Sequence, residues 1–282
     1  MSHVLSATHA RPLVILLGAS NVTRSRSIVI ESARVALGAH AMDVLAAIGH
    51  GRSYGITSSF CGRALPGILQ CELWSALQDR ERSGNDAVSV ADRPAVYALI
   101  TDIGNDIMYG QTPQTIIEWV GECVRRLVCV HAQVIVTGVP FRRIERVTPG
   151  QFRMVQRIMF SGSTLSYDAV HDRVRTLHDG IAQLARGTQG VTYVEPDPGW
   201  YGIDPIHLHR EAWPVAWRAM LAPWRKGNSG NGEVTTAMAR PSLDGWTRLR
   251  LSRPAGWKQF GRVRSCIQPD CRLRGGTLVY QY

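Results

Sequence analysis

The sequence predicts an α/β protein, a three-layer α/β/α sandwich whose central sheet is parallel and mostly five-stranded. Two observations predict this fold class. Short apolar runs alternate along the first 224 residues with stretches whose apolar residues recur at helical spacing. This alternation is typical of a parallel sheet buried on both faces. The chain of 282 residues, 45% of them hydrophobic, is also long enough to bury a core without disulfides or metals.

Five apolar runs are the strand candidates, and each has the length of a buried strand. They span residues 13–17, 44–48, 94–101, 134–137 and 191–194. Five further segments have the spacing of amphipathic helices. These helix candidates span residues 22–37, 65–77, 113–130, 170–184 and 209–221.

Polar loops that contain glycine or asparagine lie where several of these strands lead into helices. They span residues 18–21, 49–55, 102–106 and 199–207. In parallel α/β sheets, ligands bind beyond the carboxyl ends of the strands, in loops of this kind. We therefore expect the functional site at this edge of the sheet.

Positive charge is concentrated at one end of the chain. The net charge is +10, of which residues 1–224 carry +2 and residues 225–282 carry +8. Residues 226–232 have the composition of a flexible linker. The sequence therefore predicts an α/β domain over residues 1–224 and a basic, flexible extension over residues 225–282. Contact of this extension with nucleic acid or a membrane is the alternative interpretation.

Neither export nor metal binding is indicated by the sequence. No apolar run approaches the roughly 18 residues that a transmembrane helix needs, and the run at 13–17 is too short for the core of a signal peptide. We therefore expect a soluble, cytoplasmic protein. The six cysteines form no C-x-x-C pair and stand beside no histidine cluster at zinc-ligand spacing. Free thiols, and no metal or other cofactor, are the expectation.

Ser20 lies directly after the first strand candidate and before a helix. A serine at this position is close to the free N–H groups and the positive dipole end of the helix, which suits a nucleophile. The alternative is that Ser20 only caps the helix, since serine is a preferred N-cap residue. The G-x-S-x-G pattern of ordinary α/β-hydrolases is absent around it.

Asp204 and His207 form an Asp-Pro-Ile-His unit before the last helix candidate. A separation of three residues within a turn lets the carboxylate bond one ring nitrogen, which leaves the other free to act as a base toward a serine. His209 is a second choice for the base, because it is farther from Asp204 and begins the helix. The alternative is a loop aspartate that caps the helix beside a surface histidine.

Two further loops contain residues that could bind an oxyanion. Asn105 follows the third strand candidate, and its neutral amide can donate a hydrogen bond to developing negative charge. Gly55 or Gly51, after the second strand, can present a backbone N–H group at close approach. The alternative is that Asn and Gly are common turn residues without a chemical role.

In this order along the chain, the four blocks resemble the SGNH hydrolase superfamily, or GDSL esterases and lipases, over about residues 12–222. The resemblance implies a flavodoxin-like α/β fold and ester hydrolysis without a cofactor. It implies that Ser20 is the nucleophile, that Asp204 orients His207, and that His207 is the general base. It also implies an oxyanion hole formed by Ser20, Gly55 and Asn105, where Gly55 is preferred to Gly51 because Gly-Ile-Thr is similar to the Gly-x-Thr/Ser pattern of the family.

The blocks depart from the family pattern at two positions. Ala19 stands where the first block usually has Asp, and Ile103 stands at the first Gly of the third block. Neither change removes a catalytic group, so we expect activity on carboxylic esters. A short-chain ester, an acetylated carbohydrate and a thioester remain open as substrates, and no lid-like apolar segment is evident. The alternative from another class is a catalytically silent α/β binding module whose basic tail contacts nucleic acid or a membrane.

Overall fold

A mixed sheet of seven strands forms the centre of the part of the chain that the structure describes. The computed structural model describes residues 11–85, 93–160, 162–225, 243–273 and 275–282. The strands of this sheet, in spatial order, are β10 (Cys271–Arg272), β11 (Leu278–Gln281), β2 (Asp43–Ile48), β1 (Leu13–Gly18), β5 (Val96–Ile100), β6 (Gln133–Thr137) and β7 (Val191–Val194). A second, four-stranded sheet has the order β3 (Ser58–Phe60), β4 (Arg63–Leu65), β8 (Gly256–Gln259) and β9 (Arg262–Ser265).

The five strands from β2 to β7 are parallel, in agreement with the predicted sheet. Each neighbouring pair in the order β2, β1, β5, β6 and β7 is parallel. The end of β1 at Gly18 is in register with the end of β2 at Ile48. Because parallel strands end at the same edge of a sheet, the loops after these strands come together there. Each of the five predicted strands is present.

Ten helices cover this sheet in the described part of the chain. They are α1 (Ser20–Arg24), α2 (Arg26–Ala36), α3 (Leu73–Asn85), α4 (Asn105–Met108), α5 (Pro113–Cys129), α6 (Phe141–Ile144), α7 (Pro149–Met159), α8 (Tyr167–Arg186), α9 (Trp213–Met220) and α10 (Leu243–Leu251). None of them is long and apolar enough to cross a membrane.

The two faces of the sheet bury alternate residues of β1. Ile15 and Leu17 belong to the core under α3, α5 and α8, whereas Val14 and Leu16 belong to the core under α2 and α9. Successive side chains of a strand point to opposite faces, so an all-apolar strand needs cover on both. The predicted three-layer sandwich is therefore confirmed.

The helix predicted over residues 22–37 is two helices in the structure. α1 ends and α2 begins around Ser25, whose hydroxyl donates to the carbonyl of Asn21 at 2.6 Å. The indole N–H of Trp217 on α9 in turn donates to Ser25 Oγ at 2.7 Å. Serine hydroxyls that bond a nearby backbone carbonyl compete with helical geometry, and here α9 holds the break in place.

The described residues 243–273 and 275–282 are part of the folded domain, whereas the sequence predicts a flexible extension over this segment. β11 pairs in parallel with β2, and β10 pairs with β11, so the described C-terminal residues extend the central sheet. Val279 and Cys271 are buried in the core under α2. These are long-range contacts that the polar composition of the segment does not reveal. The predicted linker at residues 226–232 lies outside the described residues.

Candidate active site

Three of the predicted site residues line one cavity at the carboxyl edge of the sheet. Ser20, Asn105 and His207 all border this space of about 110 Å³, which we call the catalytic cavity. Ser20 follows β1, Asn105 follows β5, and His207 lies in the loop between β7 and α9. The fold therefore brings together residues that lie up to 187 positions apart in the sequence.

Ser20 is the first residue of α1 and does not cap it. The N-cap position is Ala19, and no side-chain hydrogen bond caps this helix. Instead, Ser20 Oγ accepts a hydrogen bond from the backbone N–H of Gly51 at 3.2 Å. The interpretation of Ser20 as a capping residue is therefore wrong, and its hydroxyl lies at the helix N-terminus where negative charge is favoured.

Asp204 and His207 form the pair that their spacing predicts. The imidazole Nδ1 of His207 and Asp204 Oδ2 are 2.6 Å apart. Asp204 Oδ1 also accepts the backbone N–H groups of Ile206 and His207 at 3.1 and 3.3 Å. Burial alone would raise the pKa of Asp204, but the hydrogen bond from His207 and the backbone N–H groups outweigh it, so this pKa is lowered. The ionised carboxylate holds Nδ1 as the protonated nitrogen, which leaves Nε2 as an acceptor.

His209, the second choice for the base, lies elsewhere. It is exposed, and its ring packs so closely against Gly202 that a Cβ added there would lie 2.2 Å from the ring. It is not among the described residues that border the catalytic cavity. Of the two histidines, His207 is the one that borders this cavity in the described part of the chain.

The glycine whose N–H reaches Ser20 is Gly51, and the N–H of Gly55, the preferred oxyanion donor, is bonded elsewhere. The N–H of Gly55 donates to Ser53 Oγ at 3.1 Å, and a Cβ added to Gly55 would lie 2.0 Å from the ring of Trp119. Gly55 is thus required by packing. Gly51 has a positive φ of 62°, which glycine adopts without strain, and this conformation accompanies its N–H bond to Ser20.

Tyr109, at the end of α4, holds the peptide of Gly51. Its hydroxyl donates to the Gly51 carbonyl at 2.6 Å. Burial, followed by the charge of Asp106, raises the pKa of Tyr109 to about 12, so the hydroxyl keeps its proton. Tyr54, in the loop after β2, is fully buried and donates to the carbonyl of Thr101 at 2.6 Å. It supports the loops and is outside the cavity.

Asn105 begins α4 and borders the catalytic cavity. Its side-chain amide makes no hydrogen bond to another described residue, so its N–H groups remain free for a ligand. The next residue, Asp106, is buried and accepts the backbone N–H of Tyr54 at 3.0 Å. Burial raises the pKa of Asp106 to about 6. Asp106 thus anchors α4 to the loop after β2.

Asp102 is a site residue that the sequence analysis missed. Its Oδ2 accepts the backbone N–H groups of Ala19, Asn21 and Val22 at 2.9, 3.0 and 3.3 Å. Ala19 stands where the family pattern has Asp, and here a carboxylate from the loop after β5 lies against the N–H groups of the Ser20 turn. Burial raises the pKa of Asp102, against the opposing effect of these hydrogen bonds. It also has a positive φ of 60°, uncommon for a residue other than glycine.

Asn21 connects the Asp102 carboxylate to the loop that contains His207. Its amide Nδ2 donates to Asp102 Oδ1 at 2.8 Å and to the carbonyl of Ile206 at 2.9 Å. Its Oδ1 accepts the backbone N–H of Leu208 at 2.8 Å. The two backbone partners flank His207, so Asn21 couples the positions of the nucleophile and the base. Only the adjacency of Asn21 to Ser20 hinted at this role in the sequence.

The catalytic cavity extends from Ser20 into an apolar space. α7 contributes Phe152 and Val155, and α8 contributes Val170 and Val174. The same helix α7 leaves Ile158 well exposed. α7 is an amphipathic helix that begins with a capping box and lines this apolar part of the cavity. The expectation that no lid-like apolar segment is present stays a prediction.

Comparisons with known proteins support the fold. No protein-family model matches the sequence, and no curated protein matches it. One crystal structure aligns with 78% of this chain and 100% of its own at a TM-score of 0.50 and 14% identity. The psychrotrophic esterase EstA from Pseudoalteromonas sp. is also similar, with a TM-score of 0.46 and 12% identity over 76% of this chain and 97% of that chain. TesA is similar with a TM-score of 0.42 and 18% identity over 76% of this chain and 98% of that chain.

Among the described residues, no group of three or more His, Cys, Asp or Glu side chains is arranged to hold a metal ion.

At the identities above, the similarity to solved structures concerns the fold. The chain therefore has the α/β fold that its resemblance to the SGNH hydrolase superfamily implies.

Proposed function

We propose that this protein is a serine hydrolase, an esterase or deacylase that cleaves carboxylic ester bonds. Ser20 is the nucleophile, His207 the general base and Asp204 the residue that orients it. The backbone N–H groups of Ser20 and Gly51 and the side-chain amide of Asn105 form the oxyanion hole. These roles follow the SGNH pattern, with Gly51 in place of Gly55.

One observation carries the proposal. Ser20 accepts a hydrogen bond from the Gly51 N–H in a cavity that it shares with His207, whose Nδ1 is bonded to Asp204. A nucleophile, an oriented base and a convergent backbone donor are the parts that acyl transfer requires. A serine with only a structural role would need none of the other groups.

In the first half of the reaction, His207 Nε2 accepts the proton of Ser20 as Oγ attacks the carbonyl carbon of the ester. The carbon–oxygen double bond becomes a single bond, and the negative charge on its oxygen is stabilised by the oxyanion donors. Asp204 stabilises the imidazolium that forms. The tetrahedral intermediate then breaks the bond to the alcohol oxygen, which takes the proton from His207, and the alcohol leaves.

In the second half, water replaces the alcohol. His207 removes a proton from the water, whose oxygen attacks the acyl carbon bonded to Ser20. The second tetrahedral intermediate then breaks its bond to Ser20 Oγ and releases the acid, and His207 returns its proton to Ser20 Oγ. Asn21 and Asp102 take no part in these bonds, but they hold the nucleophile and the base in register through both halves.

The apolar part of the catalytic cavity is suited to the acyl group. Burial of apolar surface contributes about 25 cal/mol per Å², so a hydrocarbon chain gains affinity in a space lined by α7 and α8. Phe152, Val155 and Val174 offer no hydrogen-bonding group to a sugar hydroxyl, and Gln156 and His171 are the polar residues that these two helices add to the lining. Among the substrates that the sequence leaves open, an ester or thioester with an apolar acyl chain fits best.

Labelling by a fluorophosphonate and hydrolysis of acyl esters test the proposal. The wild-type chain should be labelled at Ser20, and Ser20→Ala should lose both the label and about 10⁴- to 10⁶-fold in kcat. Ser75→Ala is the matched control, because Ser75 is an exposed serine on α3 that bonds only the local carbonyl of Glu72.

Activity that survives Ser20→Ala would overturn the mechanism. A wild-type chain that is neither labelled nor active would favour the alternative of a silent binding module. Salt-sensitive binding of nucleic acid or anionic vesicles by the whole chain would then be the positive evidence for that module.

A further inference from the structure

A second cavity, of about 490 Å³, borders the catalytic loops from the other direction. Thr23 and Arg26, which line it, follow Ser20 closely in the chain, and His50 directly precedes Gly51. It shares no lining residue with the catalytic cavity in the described part of the chain. We call it the arginine cavity, because four arginines border it.

These arginines come from distant parts of the sequence. Arg26 begins α2, Arg63 begins β4, Arg250 lies near the end of α10, and Arg253 follows that helix. No acidic residue is among the described residues that line the cavity. Arg253 is paired with Asp270 at 3.6 Å, whereas the other three make no ion pair with a described residue.

Aromatic side chains hold two of the three unpaired arginines without neutralising them. The guanidinium of Arg63 lies 5.6 Å from the ring centroid of Trp257, and that of Arg250 lies 5.1 Å from that of Trp246. A cation–π contact positions a guanidinium and leaves its N–H donors available at the edge. Both groups thus keep their full charge next to the cavity.

Arg26 is the least solvated of the three. Its side chain is partly buried, and burial is the main cause that lowers its pKa to about 10. Cys271 has the opposite effect on this pKa, and the charges of Arg63 and Arg250 lower it further. A desolvated cation beside two like charges is unfavourable unless an anion compensates it. An anion bound in the cavity would supply this compensation.

We propose that the arginine cavity binds a phosphate group through Arg26, Arg63 and Arg250. Guanidinium groups bond phosphate oxygens in a bidentate manner, and three of them can surround one tetrahedral dianion. His50 adds a further donor at the rim towards the catalytic loop. Two sources offer this chemistry, a phosphate carried by the substrate and free inorganic phosphate.

The position of His50 favours the substrate as the source. His50 lines the arginine cavity and directly precedes Gly51, whose N–H bonds Ser20 Oγ, so it lies between the two sites. If the proposed function holds, an ester whose acyl chain occupies the catalytic cavity directs its alcohol away from α7 and α8. A phosphate on that alcohol would then enter the arginine cavity, and this assignment of source rests on the proposed function.

Calorimetry with inorganic phosphate tests the site without any catalysis. At constant ionic strength in chloride buffer, Arg26→Gln and Arg63→Gln should each weaken phosphate binding about 10- to 100-fold, as expected for the loss of one charge-assisted hydrogen-bond donor. Arg186→Gln is the matched control, because Arg186 is exposed at the end of α8 on the other face of the sheet. Thermal unfolding of each variant verifies that it is folded.

Two esters with the same acyl chain, one of glycerol and one of glycerol 3-phosphate, distinguish the sources. If the substrate carries the phosphate, Arg26→Gln should lower kcat/KM for the phosphorylated ester about 10- to 100-fold and leave the glycerol ester within about twofold. Equal kinetics for both esters, with binding of phosphate lost in Arg26→Gln, would support the site and assign it to free phosphate.

The remaining outcomes separate this inference from the proposed function. A wild-type chain that binds no phosphate, or Arg26→Gln and Arg63→Gln variants that bind it as tightly as Arg186→Gln, would overturn the phosphate site. Arg26-dependent phosphate binding in a chain that hydrolyses neither ester would support the site and count against the esterase.

Discussion

The two cavities on either side of the Gly51 loop differ in the sign of the charge buried around them. Beside the catalytic cavity, the carboxylates of Asp102 and Asp106 accept N–H groups of neighbouring loops. Beside the arginine cavity, Arg26 has no partner of opposite charge among the described residues. Charge that is bonded internally fixes the positions of loops, whereas charge without an internal partner is available to a ligand. The charged groups of the catalytic cavity are therefore fixed by internal bonds, whereas those of the arginine cavity are available to bind a ligand.

Among the residues that take no part in the bond-making steps, the largest effect should come from Asp102→Asn, which tests the cavity whose charges are bonded internally. Asp102 accepts the backbone N–H groups of the Ser20 turn with Oδ2 and the Asn21 amide Nδ2 with Oδ1. Asn presents an NH₂ group in place of one of these oxygens, so it cannot accept both sets of donors. The Ser20 turn should then shift, and a displacement of about 1 Å costs on the order of 10²-fold in kcat. KM should change far less, because Asp102 does not belong to the apolar part of the cavity.

Steady-state kinetics of Asp102→Asn, with Asp172→Asn as the control, measure this. Asp172 is an exposed aspartate on α8, so its variant should keep wild-type kcat. An Asp102→Asn enzyme that is folded by thermal unfolding and retains wild-type kcat would show that the carboxylate has no positioning role.

A smaller effect, on stability, is expected at Asp106. Its pKa is raised to about 6 in the folded protein, so the folded state binds more protons than the unfolded state between about pH 4 and pH 6. The free energy of unfolding should therefore fall as the pH rises through this range, by up to about 3 kcal/mol. Asp106→Asn removes the titration and should remove this loss.

Urea unfolding of the wild-type chain and of Asp106→Asn at several pH values between 4 and 7 provides the measurement. The unfolding free energy of Asp106→Asn minus that of the wild-type chain should increase as the pH rises from 4 to 6. Parallel stability curves would mean that burial does not raise the pKa of this carboxyl.

The smallest effect is expected for His209→Gln. His209 packs against Gly202 and lies outside the described lining of the catalytic cavity, so kcat should stay within about twofold. His207→Gln is the matched variant, and it should lose activity about as severely as Ser20→Ala. Comparison of the two kcat values assigns the base, and a larger loss at His209 would reverse the assignment.

The elements of the fold that the sequence predicts are those with a local pattern of apolar residues. The five parallel strands are apolar runs, and Ser20, Asn105 and His207 follow strands whose ends must share an edge. The helix break at Ser25 was missed because it depends on Trp217, far along the chain. The pairing of β11 with β2 was missed because a short strand at the sheet margin has no periodicity longer than its four residues.

The same limit applies to the site. The choice between Gly51 and Gly55 depends on Trp119, which occupies the space beside Gly55. The role of Asp102 depends on its proximity to the Ser20 turn, which the sheet order creates. The pattern of residue types in the sequence indicates which chemical groups are present, but it does not distinguish Gly51 from Gly55 within one loop.

By itself, the sequence determined that this chain forms a two-faced parallel sheet and that an Asp-x-x-His turn and a serine follow its strands. These features depend on periodicity and on spacing within a few residues, which are local properties. The tertiary structure alone decided which glycine reaches Ser20, which carboxylate supports that turn, and that arginines from both ends of the chain converge on one cavity. Such contacts join residues far apart in the chain, and their free energies depend on burial and distance, which exist only after the chain has folded.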